Sequence, residues 1–232
     1  MIKLTFPKNQ ILSVSSFHEL VSTPFKGQVN AISWKRKLRG DFSEIVDKVA
    51  LNGNIMVLNE DDLLGLSLTE EGVLARNTIL NDLNLLKAHG ASPVLNVIKN
   101  YDRDDFFPFF PTDVYSYHVD RSPIETDTFL CTYHGEPSEL LLNDQAIQKV
   151  LIPEIREELL NTYGKLDAGF ESFLTENFFD LHYNPIPNAL PISLGIGNMW
   201  RLAVDFPEGP VLPCIHRAPI EKNGQKRLLI IC

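Results

Sequence analysis

The chain has 232 residues, 44% of them hydrophobic and 22% charged, and its 30 acidic side chains against 21 basic ones give a net charge of −9. This is the composition of a globular protein with room for one large domain. No apolar run approaches the ~18 residues of a membrane span, and the acidic balance disfavours a nucleic-acid partner.

From Met1 to Val14 the chain is interrupted by Pro7, Lys8 and Asn9, where a signal peptide needs an unbroken apolar stretch, so a cytoplasmic protein is expected. Val29 to Trp34 and Gly53 to Leu58 read as short strands. The basic run Lys35, Arg36, Lys37 and Arg39 reads as a solvated face. Asp41 with Glu44 resembles a capping box, after which Phe42, Ile45, Val46 and Val49 share a helical face. Thr69 caps a second helix that runs to about His89 and stops at Gly90, with Ile79, Leu80, Leu83 and Leu86 as its stripe. Residues 1–90 are therefore expected to be mainly helical.

After Gly90 the pattern shifts to strands. Val94 to Asn100, Val114 to Val119, Thr128 to Tyr133 and Glu139 to Leu142 are separated by Pro- and Gly-bearing turns. The loop Asp104-Asp105-Phe106-Phe107-Pro108-Phe109-Phe110-Pro111 suits either a lid or a plug of a barrel mouth. A helical insert is predicted over 144–180. It begins at Asp144, repeats Ile147, Val150, Leu151, Ile155 and Leu159, and is kinked or split by Pro153; Phe170, Phe173, Leu174 and Phe178 mark a further helix. Strands resume at Ile192–Leu194, Met199–Val204, Leu212–His216 and Arg227–Ile231, with turns at Gly195, Gly197, Gly209 and Asn223-Gly224. Many short strands with such turns predict an α+β protein built on a jelly roll, in one domain: residues 91–232 as the barrel, 1–90 packing on it.

Six histidines are present, and two fall on predicted strands. On a strand, residues i and i+2 point the same way, so His118 and Asp120 can grip one ion together. His216 lies on a late strand that a jelly roll can bring alongside. Two imidazoles and a carboxylate leave open positions on the metal, as in the facial triad of non-haem Fe(II) oxygenases. Arg227 follows His216 after one turn, and a guanidinium there suits a carboxylate. His134 is the rival ligand, although Gly135 after it suggests a turn. Cys214 shares a face with His216 and reads as a small buried hydrophobe or an added sulfur ligand. Three cysteines without CxxC spacing argue against a disulfide framework.

The blocks Tyr117-His118-Val119-Asp120, Thr128-Phe129-Leu130-Cys131-Thr132-Tyr133, Gly197-Asn198-Met199-Trp200-Arg201-Leu202 and His216-Arg217-Ala218-Pro219 with Arg227-Leu228-Leu229 resemble the 2-oxoglutarate- and Fe(II)-dependent dioxygenases, whose fold is the double-stranded β-helix. They look most like an uncharacterised bacterial family sharing HVD, CTY, HR-P and RLL blocks. The resemblance covers Val94 to Cys232. It implies metal ligation by His118, Asp120 and His216, with Fe(II) replaceable by Zn or Ni in a purified sample. It also implies binding of the 2-oxoglutarate carboxylate by Arg227, with a hydroxyl from Tyr101 or Tyr133. One departure is Leu229, which stands where many members carry Ser or Thr. The expected function is oxidation of a small-molecule or peptide substrate by hydroxylation or demethylation. The alternatives are a cupin-type metal protein that does not use 2-oxoglutarate (another dioxygenase, an isomerase or a sensor) and an interaction module that kept the barrel and lost its chemistry.

Overall fold

The computed structural model describes residues 10–104, 106–165, 167–220, 222 and 224–232. Pro7, Lys8 and Asn9, Asp105 of the aromatic loop and Asn223 of the last turn lie outside the described residues. The fold is mixed α+β, with six α-helices among the described residues and two β-sheets, one curled into a half-barrel.

In chain order the elements are β1 (Ile11–Val14), α1 (Phe17–Ser22), β2 (Ala31–Trp34), α2 (Phe42–Lys48), β3 (Ile55–Leu58), α3 (Glu60–Leu64), α4 (Glu70–Ala88) and β4 (Val94–Ile98). Then come β5 (Tyr117–His118), β6 (Asp127–His134), β7 (Glu139–Leu141), β8 (Ala146–Gln148), α5 (Pro153–Tyr163), α6 (Gly169–Glu176) and β9 (His182–Pro185). The chain ends with β10 (Ile192–Ser193), β11 (Met199–Ala203), β12 (Ile215–Arg217) and β13 (Arg227–Ile231). One sheet has the order β1-β2-β11-β6-β13-β4-β3, the other β10-β7-β12-β5-β9-β8.

Two apolar layers follow from strand alternation. Ala31, Ile98, Leu130, Trp200, Leu202 and Leu229 of the first sheet meet Leu140 of the second, with Leu194 and Cys214 beside it, and fill the space between the sheets. The opposite face of the first sheet, with Phe129, Cys131, Tyr133 and Leu228, packs on Ile45 and Val46 of α2 and on Ile79, Leu83 and Leu86 of α4. That apolar stripe, rather than propensity, holds α4 in place.

The N-terminal region departs from a helical cap. β1 and β2 extend one edge of the first sheet and β3 the other, so residues 10–58 flank the sheet on both sides. Asp41 caps α2 as predicted, accepting from the Ser43 and Glu44 amides. Glu44 does not return to the cap; its carboxylate accepts from the amide and hydroxyl of Thr69 and ties α2 to the start of α4. Nor is the basic run wholly a solvated face: Arg36 is drawn in to an ion pair with fully buried Asp82.

The insert departs too. Residues 146–148 form β8 rather than a helix, because α5 begins only at Pro153, which occupies its first turn, where a missing N–H costs nothing. β9 returns after α6 and pairs with both β5 and β8. β5 is two residues long, not six. Asp113 turns the chain just before it, accepting from the Tyr115 amide through its side chain and from the Ser116 amide through its carbonyl.

Candidate metal centre

Four strands of the second sheet place one residue each on a common row: Leu140 stands opposite His216, His216 opposite His118, and His118 opposite His182. Paired residues in antiparallel strands point to the same face, and Leu140 belongs to the apolar layer between the sheets. The row therefore faces inward. The His118 and His216 rings lie 4.7 Å apart, centroid to centroid.

Asp120 lies just beyond β5 and is fixed through its backbone. Its carbonyl accepts from the Asp205 amide at 2.8 Å, the Ser122 amide returns to Asp205 O at 2.9 Å, and the Val119 amide bonds Leu181 O at 3.1 Å. The Arg121 side chain clamps the same corner through Asp205 and Asp180, each at 2.7 Å. Asp120 Oδ1 stands 3.9 Å from His118 Nε2 and Oδ2 stands 3.6 Å from His216 Nε2. One donor atom from each of His118, Asp120 and His216 lies within 4.8 Å of the others.

The tautomers suit coordination. His118 Nδ1 lies 2.7 Å from the Ser116 carbonyl and His216 Nδ1 3.2 Å from the Cys214 carbonyl. A carbonyl only accepts, so each Nδ1 carries a proton and Nε2 is the nitrogen turned toward Asp120 and available to a metal. Burial, and then the neighbouring His216, push His118 down to about 4, so this imidazole is neutral at physiological pH. Burial pushes Asp120 up, but His216, the Thr128 hydroxyl and His118 outweigh it and leave the carboxyl below its ordinary value. Two ligand atoms about 2.1 Å from an ion stand about 3.0 Å apart at octahedral and about 3.4 Å at tetrahedral angles. The Asp120 separations of 3.6 and 3.9 Å exceed these by less than about 1 Å. His118, Asp120 and His216 can hold a metal ion.

Thr128 on β6 donates to Asp120 Oδ2 at 2.5 Å. Partners of this kind orient ligating carboxylates, and their loss typically weakens metal binding 10–100-fold. Thr128→Val is expected to lower metal affinity by about that factor without changing stoichiometry, as read by calorimetric titration.

Arg227 stands opposite Ile98 and two residues from Leu229, both in the layer between the sheets, so its buried side chain enters the same layer as His216. Its Nε donates to the Glu136 carbonyl at 2.8 Å and its Nη2 to Ser138 Oγ at 3.1 Å. Tyr101 is partly buried against that layer, its amide bonded to the Tyr115 hydroxyl at 2.9 Å. Tyr133 belongs elsewhere. It stacks on Phe42 in the helix-side layer, and its hydroxyl donates to Asp82 at 2.6 Å. His134 ends β6 instead of lying in a turn, and it stands opposite Leu228 of that same helix-side layer. Of the aromatic loop, Phe110 is fully buried against Phe179 beside α5 and α6, while Phe106 is exposed.

No cysteine is disulfide-bonded. Burial pushes the Cys131 thiol up to about 12, the Cys232 thiol to about 11 and the Cys214 thiol further still. A thiolate-selective reagent at pH 8 is therefore expected to label at most one thiol of the folded protein, and all three after unfolding.

Pattern reading missed His182. It lies 5.8 Å from His118, ring to ring, on a strand whose residues His182-Tyr183-Asn184-Pro185 carry no apolar alternation. It lines a cleft of about 260 Å³ together with His118 and Asp120. No helix among the described residues is long and apolar enough to cross a membrane.

The chain matches no protein-family model, no curated protein and no solved structure.

Proposed function

We propose that the chain is a non-haem Fe(II)- and 2-oxoglutarate-dependent oxygenase on a double-stranded β-helix. The observation that carries this reading is the convergence of His118 Nε2, His216 Nε2 and the Asp120 carboxylate, with both Nδ1 atoms committed to backbone carbonyls. Two nitrogens and one oxygen on one side of an ion form the donor set that leaves positions open for a chelating cosubstrate and O₂.

The chain's path supports the fold. From β4 onward, the insert strands β8 and β9 aside, it alternates between the sheets: β4, β6, β11 and β13 in one; β5, β7, β10 and β12 in the other, with β7 and β10 consecutive in the second. Among these eight strands sheet neighbours are antiparallel, and the first and last of the series, β4 and β13, lie side by side. This path supports a jelly-roll winding.

Bound Fe(II) with 2-oxoglutarate and O₂ supplies the oxidising power for an unactivated C–H bond. The protein's part is to hold three ligands, orient the cosubstrate and keep water out. Arg227 is the residue for the distal carboxylate. Leu229 offers that carboxylate no hydroxyl, but Thr132 stands directly across from it with a buried hydroxyl that has no hydrogen-bond partner among the described residues. Tyr101 remains the candidate tyrosine, since Tyr133 faces the other layer.

Anaerobic titration of the Fe(II)-loaded protein with 2-oxoglutarate tests the reading through the visible charge-transfer band of the chelate. Saturable appearance of the band and succinate formation in air are expected. Arg227→Gln is expected to weaken 2-oxoglutarate about 100-fold, or about 2.7 kcal/mol, with the metal retained. The second reading, a cupin-type metal protein, draws on the hydrogen bonds that already hold Arg227 to Glu136 and Ser138. Metal binding without any 2-oxoglutarate band would select it.

A further inference from the structure

The inward row of the second sheet continues past the two proposed ligands to His182, and this third imidazole has a different environment. Its residue is only 4% exposed, yet Nδ1 is buried with no hydrogen-bond partner among the described residues. One edge meets the Phe110 ring at 6.2 Å, and the other side faces His118. A buried polar group without a partner is costly, and native structures seldom retain one without a use. His182 also lies outside the group of atoms close enough to share an ion with His118, Asp120 and His216.

The cleft that His182 lines runs along His118 and Asp120, two of the three proposed ligands. Its walls are apolar at Val114, Val119 and Leu181, and Phe178 stands at its rim. Phe178 is 59% exposed and held at φ 60°, a conformation that a bulky side chain rarely adopts. The Arg121 guanidinium in the wall is already paired with Asp180 and Asp205, so it is not aimed at an anion. The volume, about 260 Å³, sits just below the usual range of ligand pockets and suits a small molecule or a single side chain rather than a folded surface.

We propose that this cleft is the substrate site and that His182 hydrogen-bonds a neutral carboxamide or hydroxyl of a substrate whose planar or apolar body rests on Phe178. The proposal deepens the oxygenase reading, since it places the substrate beside the metal centre, but its binding test does not depend on turnover. A site with a buried hydrogen-bonding group discriminates strongly for a ligand that satisfies it, and an uncharged imidazole offers one donor and one acceptor to such a ligand.

The test uses the full chain with ring-¹⁵N-labelled histidine, with and without Zn(II), titrated with benzamide and with benzyl alcohol to millimolar concentrations. Saturable shifts of the His182 ring nitrogens are expected with at least one probe. His182→Leu is expected to weaken that probe at least tenfold and His182→Gln to restore part of the loss. Phe178→Ala is expected to weaken it severalfold. His182→Leu is also expected to bind one Zn(II) as before and to melt no lower than the parent chain, because leucine removes an unsatisfied group; a structural histidine would lower the melting temperature. Absence of any His182 shift with both probes, or equal binding by His182→Leu, overturns the proposal. Failure of Zn(II) to bind the parent chain strikes the metal reading instead and leaves the metal-free titration to decide the cleft.

Discussion

His118→Ala and Asp120→Ala are each expected to abolish stoichiometric binding of Fe(II), Co(II) or Zn(II), with a loss of at least ~100-fold in affinity, because removing a ligand should cost no less than the 10–100-fold of its outer partners. Asp120 is the more sensitive position. Its carboxylate faces both imidazoles, and without it the site offers two neutral nitrogens and no charge to offset that of the ion. His134→Ala is the matched control. His134 stands on the helix side of the first sheet, opposite Leu228, and its loss should leave metal binding unchanged. Calorimetric titration and metal analysis of the purified variants check all three.

The largest effect on stability is expected at Asp82. Its side chain is fully buried and pairs with the Arg36 guanidinium, while Arg36 Nε also donates to the Gly197 carbonyl at 2.7 Å. The Tyr133 hydroxyl donates to the same carboxylate; burial, and then Cys131 and Asp82, push its pKa well up, so the proton stays in place. Asp82→Ala strands a largely buried cation and a buried hydroxyl together. Breaking one side of a buried pair costs about 3–5 kcal/mol, which in a chain of this length lowers the melting temperature on the order of 10 °C. Tyr133→Phe removes only one hydrogen bond and is expected to cost about 1–2 kcal/mol. It should not alter 2-oxoglutarate binding, which separates Tyr133 from the cosubstrate site. Thermal melts of both variants, with a 2-oxoglutarate titration of Tyr133→Phe, decide the matter.

Local signals carried much of this architecture. The H-x-D spacing brought His118 and Asp120 to one place even though the strand ends at His118, because no turn intervenes: Val119 bonds the Leu181 carbonyl and Asp120 the Asp205 amide just beyond β5. Thr69 and Asp41 marked helix starts through hydrogen bonds that each residue makes with its own neighbours. What failed was information held across the chain. β6 is buried on both faces, so Thr132 and Tyr133 both look internal and no alternation says which enters the space between the sheets. Arg36 reads as surface charge until Asp82, far along the sequence on α4, comes to meet it. β9 carries Asn184 and Pro185, which are rare in strands, and is held by pairing with β5 and β8 rather than by propensity. His182 stayed hidden for that reason, although its neighbours on the row were found.

X-ray diffraction at the iron or cobalt edge from crystals of the metal-loaded chain locates the ion among its ligands. One anomalous peak is expected within about 2.0–2.2 Å of His118 Nε2, His216 Nε2 and an Asp120 carboxylate oxygen. A peak bound elsewhere, at His134 for example, or fully loaded protein with those three side chains uncoordinated, would contradict it.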